Sequence, residues 1–221
     1  MCCQYFSCII TKDLKVHWSK RTMAHEDLLA ELRLEDKKLE ERDFVKIEIA
    51  PKDVKKVSRN RDDWTFKVDE ERTLPNWYDE NVVKCQGACW KAWEESVQVN
   101  LAIDKEEKHG KDQLFFAYDS STVRTSGSST VEAYDSATVQ AYDSATVQAY
   151  DSATVEAYGS ARVVAYGSAT VKAYDSATVE AYDYATVELK SDCVTVLCRG
   201  KIFVTETAIV VRASVVKAAE V

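Results

Sequence analysis

Proline and glycine are nearly missing from this chain, with two and six in 221 residues. Pro51 and Pro75 both lie in the first 75 residues, so no proline interrupts extended pairing in the rest. No apolar run approaches the roughly 18 residues that span a bilayer. The start, Met-Cys-Cys-Gln-Tyr-Phe-Ser-Cys, lacks the basic region and apolar segment of a secretory signal. Together these give the expectation of residence in the cytoplasm with no membrane role. The seven cysteines (Cys2, Cys3, Cys8, Cys85, Cys89, Cys193 and Cys198) are odd in number, which does not suit a disulfide framework. They read as structural thiols. No cysteine pair has zinc-knuckle spacing and the three histidines are scattered, so neither metal nor cofactor is expected. Gly87 and Gly110 stand alone, which excludes a glycine-rich phosphate cradle.

What is present is a repeat. From Ala117 to Glu188 the sequence cycles every eight residues through Ala-Tyr-Asp-Ser-Ala-Thr-Val-x, with valine at 123, 131, 139, 147, 155, 163, 171, 179 and 187. Nine strictly placed valines argue against a disordered low-complexity tract. A period of eight does not close on 3.6, and each unit carries β-branched residues, so a helix is excluded. Read as a strand, one parity gives Ala145, Val147 and Ala149, and the other gives Thr146, Gln148 and Tyr150. The position after valine runs Arg124, Glu132, Gln140, Gln148, Glu156, Val164, Lys172, Glu180 and Glu188. A core cannot accept that series, because unpaired charge is costly to bury. Alanine and valine therefore point inward, while Thr, the variable residue and Tyr point outward. The turn position is Asp or Gly in every unit, residues that share tolerance of a left-handed backbone, and the Ser that usually follows is expected to finish the turn by local hydrogen bonds.

One octad is too short to make a coil, because the strand must also return. Two octads give a coil of about 16 residues with facing sheets, and three give about 24 and a triangle. A core of only Ala and Val favours the shorter coil. After a one-residue slip near Ser191, Val194, Val196 and Cys198 are expected to take the Ala-Val-Ala places. Ile202-Val204 and Ile209-Val211-Ala213 then follow as capping units, with Cys193 and Cys198 as packing residues.

The first hundred residues hold all five tryptophans and read as a small α+β domain. Cys8-Ile9-Ile10 and Lys15 to Trp18 suggest a hairpin, and a helix is expected over 24–42 with Leu28, Leu29, Leu32 and Leu39 on one side. Val45, Ile47 and Ile49 mark a strand ending at Pro51, and Trp64, Phe66 and Val68 mark another. Leu74 to Tyr78 leads into a second helix over about 79–97, and 104–112 reads as an acidic linker. The charge-rich stretch Glu35 to Glu41 reads as a solvated helix face. The domains are thus 1–112, α+β, and 113–221, an all-β parallel β-solenoid. His17 and His25, or Cys85 and Cys89, would be the raw material for a Cys–His nucleophile, but nothing in their spacing requires one. No catalytic residues are assigned.

The octads, such as Ala141-Tyr142-Asp143-Ser144-Ala145-Thr146-Val147-Gln148, resemble octapeptide-repeat proteins of bacteria and their phages. The segments Arg42 to Glu48 and Leu74 to Tyr78 resemble a module found beside such repeats. The resemblance implies a β-solenoid in a bacterial cytoplasm or a virion, and no functional residues.

Three functions fit. The first is a non-enzymatic structural or interaction protein whose outward ladders bind a protein partner or a second copy. Its candidate binding residues are Tyr134, Tyr142, Tyr150, Tyr158, Tyr166, Tyr174, Tyr182, Thr138, Thr146 and Thr154. The second is an acidic mimic of nucleic acid, since residues 117–188 hold ten acids against three bases. Direct nucleic-acid binding is disfavoured by the same charge. The third is ice or carbohydrate binding on the Thr and Tyr rows, interrupted at Arg162.

Overall fold

The computed structural model describes residues 6–34, 42–54, 56–69, 74–200 and 203–205. Leu39, the stretch from Glu35 to Glu41, and the capping positions Ile202, Ile209, Val211 and Ala213 lie outside them. The chain divides into two compact units, Met1–Asn100 and Leu101–Val221.

The first unit is built on a four-stranded antiparallel sheet of β1 (Phe6–Thr11), β2 (Val16–His17), β3 (Phe44–Pro51) and β4 (Trp64–Val68), in the order β2-β1-β3-β4. The hairpin pairs Ile9 with His17 and turns through Leu14 at φ 63°. Val45, Ile47 and Ile49 are fully buried, as their alternation requires. The first helix, α1 (His25–Leu32), has 8 residues, less than half the expected length. Arg33 adopts the left-handed conformation at φ 54° and its N–H reaches Ala30 O, while Leu34 N–H returns to Leu29 O at 2.9 Å. This is a Schellman-type stop; Leu34 then packs against the Leu28–Leu29 cluster, and that contact holds a non-glycine residue at positive φ. A short α2 (Asn76–Asp79) precedes α3 (Val82–Asn100). Trp93 meets Trp64 and Trp90 edge-on at 5.2 and 5.3 Å, so these three indoles are core.

The second unit is a parallel β-solenoid. Its strands are β5 (Leu101–Ala102), β6 (Glu107–Lys111), β7 (Leu114–Ala117), β8 (Thr122–Ser126), β9 (Thr130–Ala133), β10 (Thr138–Ala141), β11 (Thr146–Ala149), β12 (Thr154–Ala157), β13 (Arg162–Ala165), β14 (Thr170–Ala173), β15 (Thr178–Asp183), β16 (Thr186–Leu189), β17 (Thr195–Gly200) and β18 (Phe203–Thr205). Odd-numbered strands form one seven-stranded sheet and even-numbered strands the other. Val147 pairs with Val131 and Val163, each two octads away, so one coil consumes two octads and the shorter of the expected coils is the one formed. Ala145, Val147 and Ala149 have no exposed surface.

The solenoid begins earlier than the repeat. The stretch read as a linker contains β6, and β5 precedes it; Leu101 pairs with Phe116 and Glu107 with Thr122, a coil one residue short of two octads. At the other end Thr178 pairs with Thr195, a coil one residue longer than two octads, so the expected slip is real. Val194 and Val196 are buried in the Ala and Val places, and Cys198 pairs with Ala181. Cys193 is not a packing residue: it lies in the inserted turn and is exposed.

Each corner places Asp or Gly in the left-handed region, from Asp119 at φ 55° to Asp183 at φ 55° with Gly127, Gly159 and Gly167 at 64–67°. The carbonyl of Tyr134 accepts the N–H of Ala137, closing the turn, and Ser136 N–H donates to Asp119 O of the previous coil. Where corner serine hydroxyls are bonded, as Ser120 to Asp104 O and Ser176 to Gly159 O, they also reach the previous coil. The expected role of serine in finishing its own turn is thus replaced by fastening coil to coil.

Candidate interaction faces of the solenoid

The two-octad register turns each outward position into a row. On the odd sheet the rows are Thr130, Thr146, Arg162, Thr178 and Thr195; Glu132, Gln148, Val164, Glu180 and Leu197; and Tyr118, Tyr134, Tyr150, Tyr166 and Tyr182. On the even sheet Thr122, Thr138, Thr154, Thr170 and Thr186 form an unbroken row beside Arg124, Gln140, Glu156, Lys172 and Glu188. Tyr142, Tyr158 and Tyr174 follow.

Strands one coil apart are separated by about 4.8 Å, within the range of centroid distances of offset-stacked aromatic rings. The tyrosines accordingly stack flat. Centroids lie 4.8, 4.9, 5.2 and 4.9 Å apart from Tyr118 to Tyr182, and 4.9 and 4.5 Å apart from Tyr142 to Tyr174. The seven tyrosines singled out in the sequence are therefore brought together in two files, outside the Ala–Val core but half-buried against one another. Tyr142 is the most open of the seven, at 39%. Tyr118 departs from the outward expectation and is buried at 2%.

The phenols are tied down as well. Tyr134 donates to Glu132 at 2.7 Å, Tyr150 to Gln148 at 2.8 Å, and Tyr158 and Tyr182 to Glu156 and Glu180 at 3.3 Å. Burial pushes the Glu132 carboxyl upward, partly offset by the Tyr134 hydrogen bond. Burial and the neighbouring Glu156 charge push Tyr158 up to about 12.

On the even sheet the charges bond to one another along the coil axis. Arg124 meets Glu107 at 3.0 Å and donates to Gln140 at 2.8 Å; Gln140 donates to Glu156 at 3.0 Å, and Lys172 reaches Glu156 at 3.4 Å. The hydrogen bond from Gln140, foremost, pulls the Glu156 carboxyl below its ordinary range. The row itself follows from the two-octad coil expected from the sequence; which of its members bond to which does not, and the structure supplies it. At the corners Asp143, Asp175 and Asp183 accept the N–H groups of Gly127, Gly159 and Gly167.

In the first unit both ring nitrogens of His25 face oxygen atoms rather than a thiol, and His17 lies on β2. Cys8, Cys85 and Cys89 are buried, and burial together with Cys89 raises the Cys8 thiol well above its ordinary range. Such thiols are poor nucleophiles. His25, Glu48 and Asp69 bring ligand-type atoms within 4.8 Å of one another. Sequence reasoning missed that grouping because its members sit far apart in the chain, on or beside three different elements. No helix among the described residues is long and apolar enough to cross a membrane. No protein family matches the chain, and no curated protein or solved structure is significantly similar to it.

Proposed function

We propose that the chain is a non-enzymatic structural or protein-interaction protein whose working surface is the tyrosine-bearing outer face of the odd sheet. The proposal includes a bacterial or phage octapeptide-repeat origin, with residence in the host cytoplasm or the virion. The observation that carries it is the difference between the two faces. On the even face the charged side chains spend their hydrogen bonds on each other, from Glu107 through Lys172. Both faces carry a file of stacked phenols, but only on the odd face does that file border a row in which Val164 and Leu197 interrupt the acids. Rings already held in place lose little freedom on binding, so a flat apolar partner surface, a second copy of this chain included, is the natural occupant.

The acidic-mimic reading draws less support. Glu132, Glu156, Glu180 and Glu188 are bonded to neighbouring side chains, and Asp143, Asp175 and Asp183 to main-chain amides. Carboxylates so engaged make a weak imitation of free phosphates. The unbroken Thr row of the even sheet keeps glycan or ice binding as a second reading, which glycan-array and thermal-hysteresis measurements test directly.

The deciding experiment compares the full chain with a Tyr150→Glu/Tyr166→Glu variant of unchanged circular dichroism, by light scattering after gel filtration and by affinity capture. Loss of self-association or of a captured protein in the variant supports the odd face. A wild-type chain that is monomeric and captures nothing, or a variant that behaves identically, refutes it.

A further inference from the structure

His25 opens α1 with its side chain only 2% exposed, and both of its ring nitrogens are placed against oxygen. Nε2 lies 3.1 Å from the carbonyl of Ile47, and Nδ1 lies 3.1 Å from Oδ2 of Asp69. A carbonyl only accepts, so Nε2 carries a hydrogen, and the contact of Nδ1 with the carboxylate calls for a positive centre, either a second ring proton or a metal ion in its place. Two lone-pair bearers at that separation repel unless a positive centre stands between them. Glu48, the residue after Ile47 on β3, adds a second carboxylate within the same 4.8 Å.

We propose that His25, Glu48 and Asp69 form a binding site for a first-row divalent transition ion, with Zn2+ as its reference ligand. Three features support a built site. Ligand atoms about 2.0–2.1 Å from a tetrahedral ion stand roughly 3.3 Å apart, close to the observed nitrogen–oxygen separation. The ring is oriented by a main-chain carbonyl on its far nitrogen, the arrangement that fixes the tautomer of metal-bound imidazoles. The donors also come from three separately anchored places: the start of α1, the middle of β3, and Asp69 just past β4, whose N–H is bonded to Lys46 O at 3.0 Å.

Imidazole with two carboxylates selects against Mg2+ and Ca2+, which favour all-oxygen shells, and against the soft ions that favour thiolates. Two carboxylates against one dication leave the set neutral. Before an ion binds, Lys67, 3.9 Å from Glu48 and 65% exposed, offsets part of the carboxylate charge through solvent. Glu48 and Asp69 are 24% and 39% exposed, which gives the ion a path in and leaves room for water as a further ligand. Because the site joins helix to sheet, ion binding stabilises the first unit by mass action.

The test uses the full chain stripped with a chelator and titrated with Zn2+ by calorimetry. Co2+ is followed in parallel by its visible absorption, and unfolding of the first unit by tryptophan emission. Mg2+ is the control, and because cysteines also bind Zn2+, the titration is repeated on Asp69→Asn and Glu48→Gln. One ion per chain, a raised melting temperature, and at least about tenfold weaker binding in both variants is the expected result. His25→Ala is a third variant, read only if its tryptophan emission matches the wild type without metal. Absent binding, or binding that Asp69→Asn and Glu48→Gln leave unchanged, overturns the proposal and makes His25–Asp69 an imidazolium–carboxylate pair only.

Discussion

Replacing Val147 by Ala probes the central physical claim, that the small aliphatic residues of each octad close against one another between two sheets. Val147 is fully buried in β11, with Val131 and Val163 beside it in the ladder. The substitution removes two methyl groups, and at about 0.8 kcal/mol each the transfer loss is about 1.6 kcal/mol. A residual void of roughly 40 Å3, at about 24 cal/mol per Å3, adds about 1 kcal/mol. The expected destabilisation is therefore about 2.5 kcal/mol, a fall in urea midpoint on the order of 1 M. Thr146→Ser is the control: it removes one methyl from the neighbouring, half-buried outward position and is expected to cost no more than about 0.5 kcal/mol. Tyrosine absorbance reads the solenoid, which holds nine of the 11 tyrosines, while tryptophan emission reads the first unit, since the last tryptophan is Trp93. Equal midpoints for the two variants would refute the inward placement of valine.

The remaining predictions concern other parts of the chain. At the corner residue Asp151, φ 54°, replacement by Gly is expected to change stability by no more than about 0.5 kcal/mol, while Val costs about 2 kcal/mol, both measured by thermal denaturation. Glu132 holds its proton more tightly folded than unfolded. Its contribution is thus present below its ordinary value of 4.5 and is lost as pH rises through its raised folded value. Glu132→Gln, which keeps an acceptor for Tyr134 as Gln148 does for Tyr150, is expected to raise the melting temperature at pH 7 and leave it unchanged near pH 3. Alkylation of the native protein followed by peptide mass spectrometry is expected to mark Cys193 and spare Cys8, Cys85 and Cys89 until denaturant is added.

The solenoid was legible because its signal is redundant: valine spacing, the charge of the variable position and the Asp/Gly corner each independently require one parity of a strand. Its first coil was not, since Glu107 to Lys111 has no valine rhythm and its mixed charge reads as solvent-loving linker. One trace was available: Asp104 and Asp112 stand one octad apart, and both prove to be left-handed, at φ 55° and 53°. The end of α1 was hidden for a different reason. The apolar pattern runs on past Leu32, and the stop depends on Leu34 finding a tertiary contact, which then forces Arg33 into a conformation its own type does not favour. For the candidate site, sequence placed the tyrosines in rows but not their stacking, which needs the coil spacing. The His25 grouping needs β3, β4 and α1 to be assembled first, so no local motif announces it.

Successive octads alternate between opposite sheets, and that alternation sets the step by which such a protein changes length. Excising residues 144–159 would rejoin Asp143 to Ser160 with every later side chain still on its own flank, one coil shorter. Excising a single octad would transpose everything downstream. Lys172 would fall in file with Gln148 and Glu132, and Val164 and Leu197 would surface among the ion pairs. Duplication or loss in whole coils preserves the difference between the flanks, whereas a half-coil step would scramble it while leaving the Ala–Val interior intact.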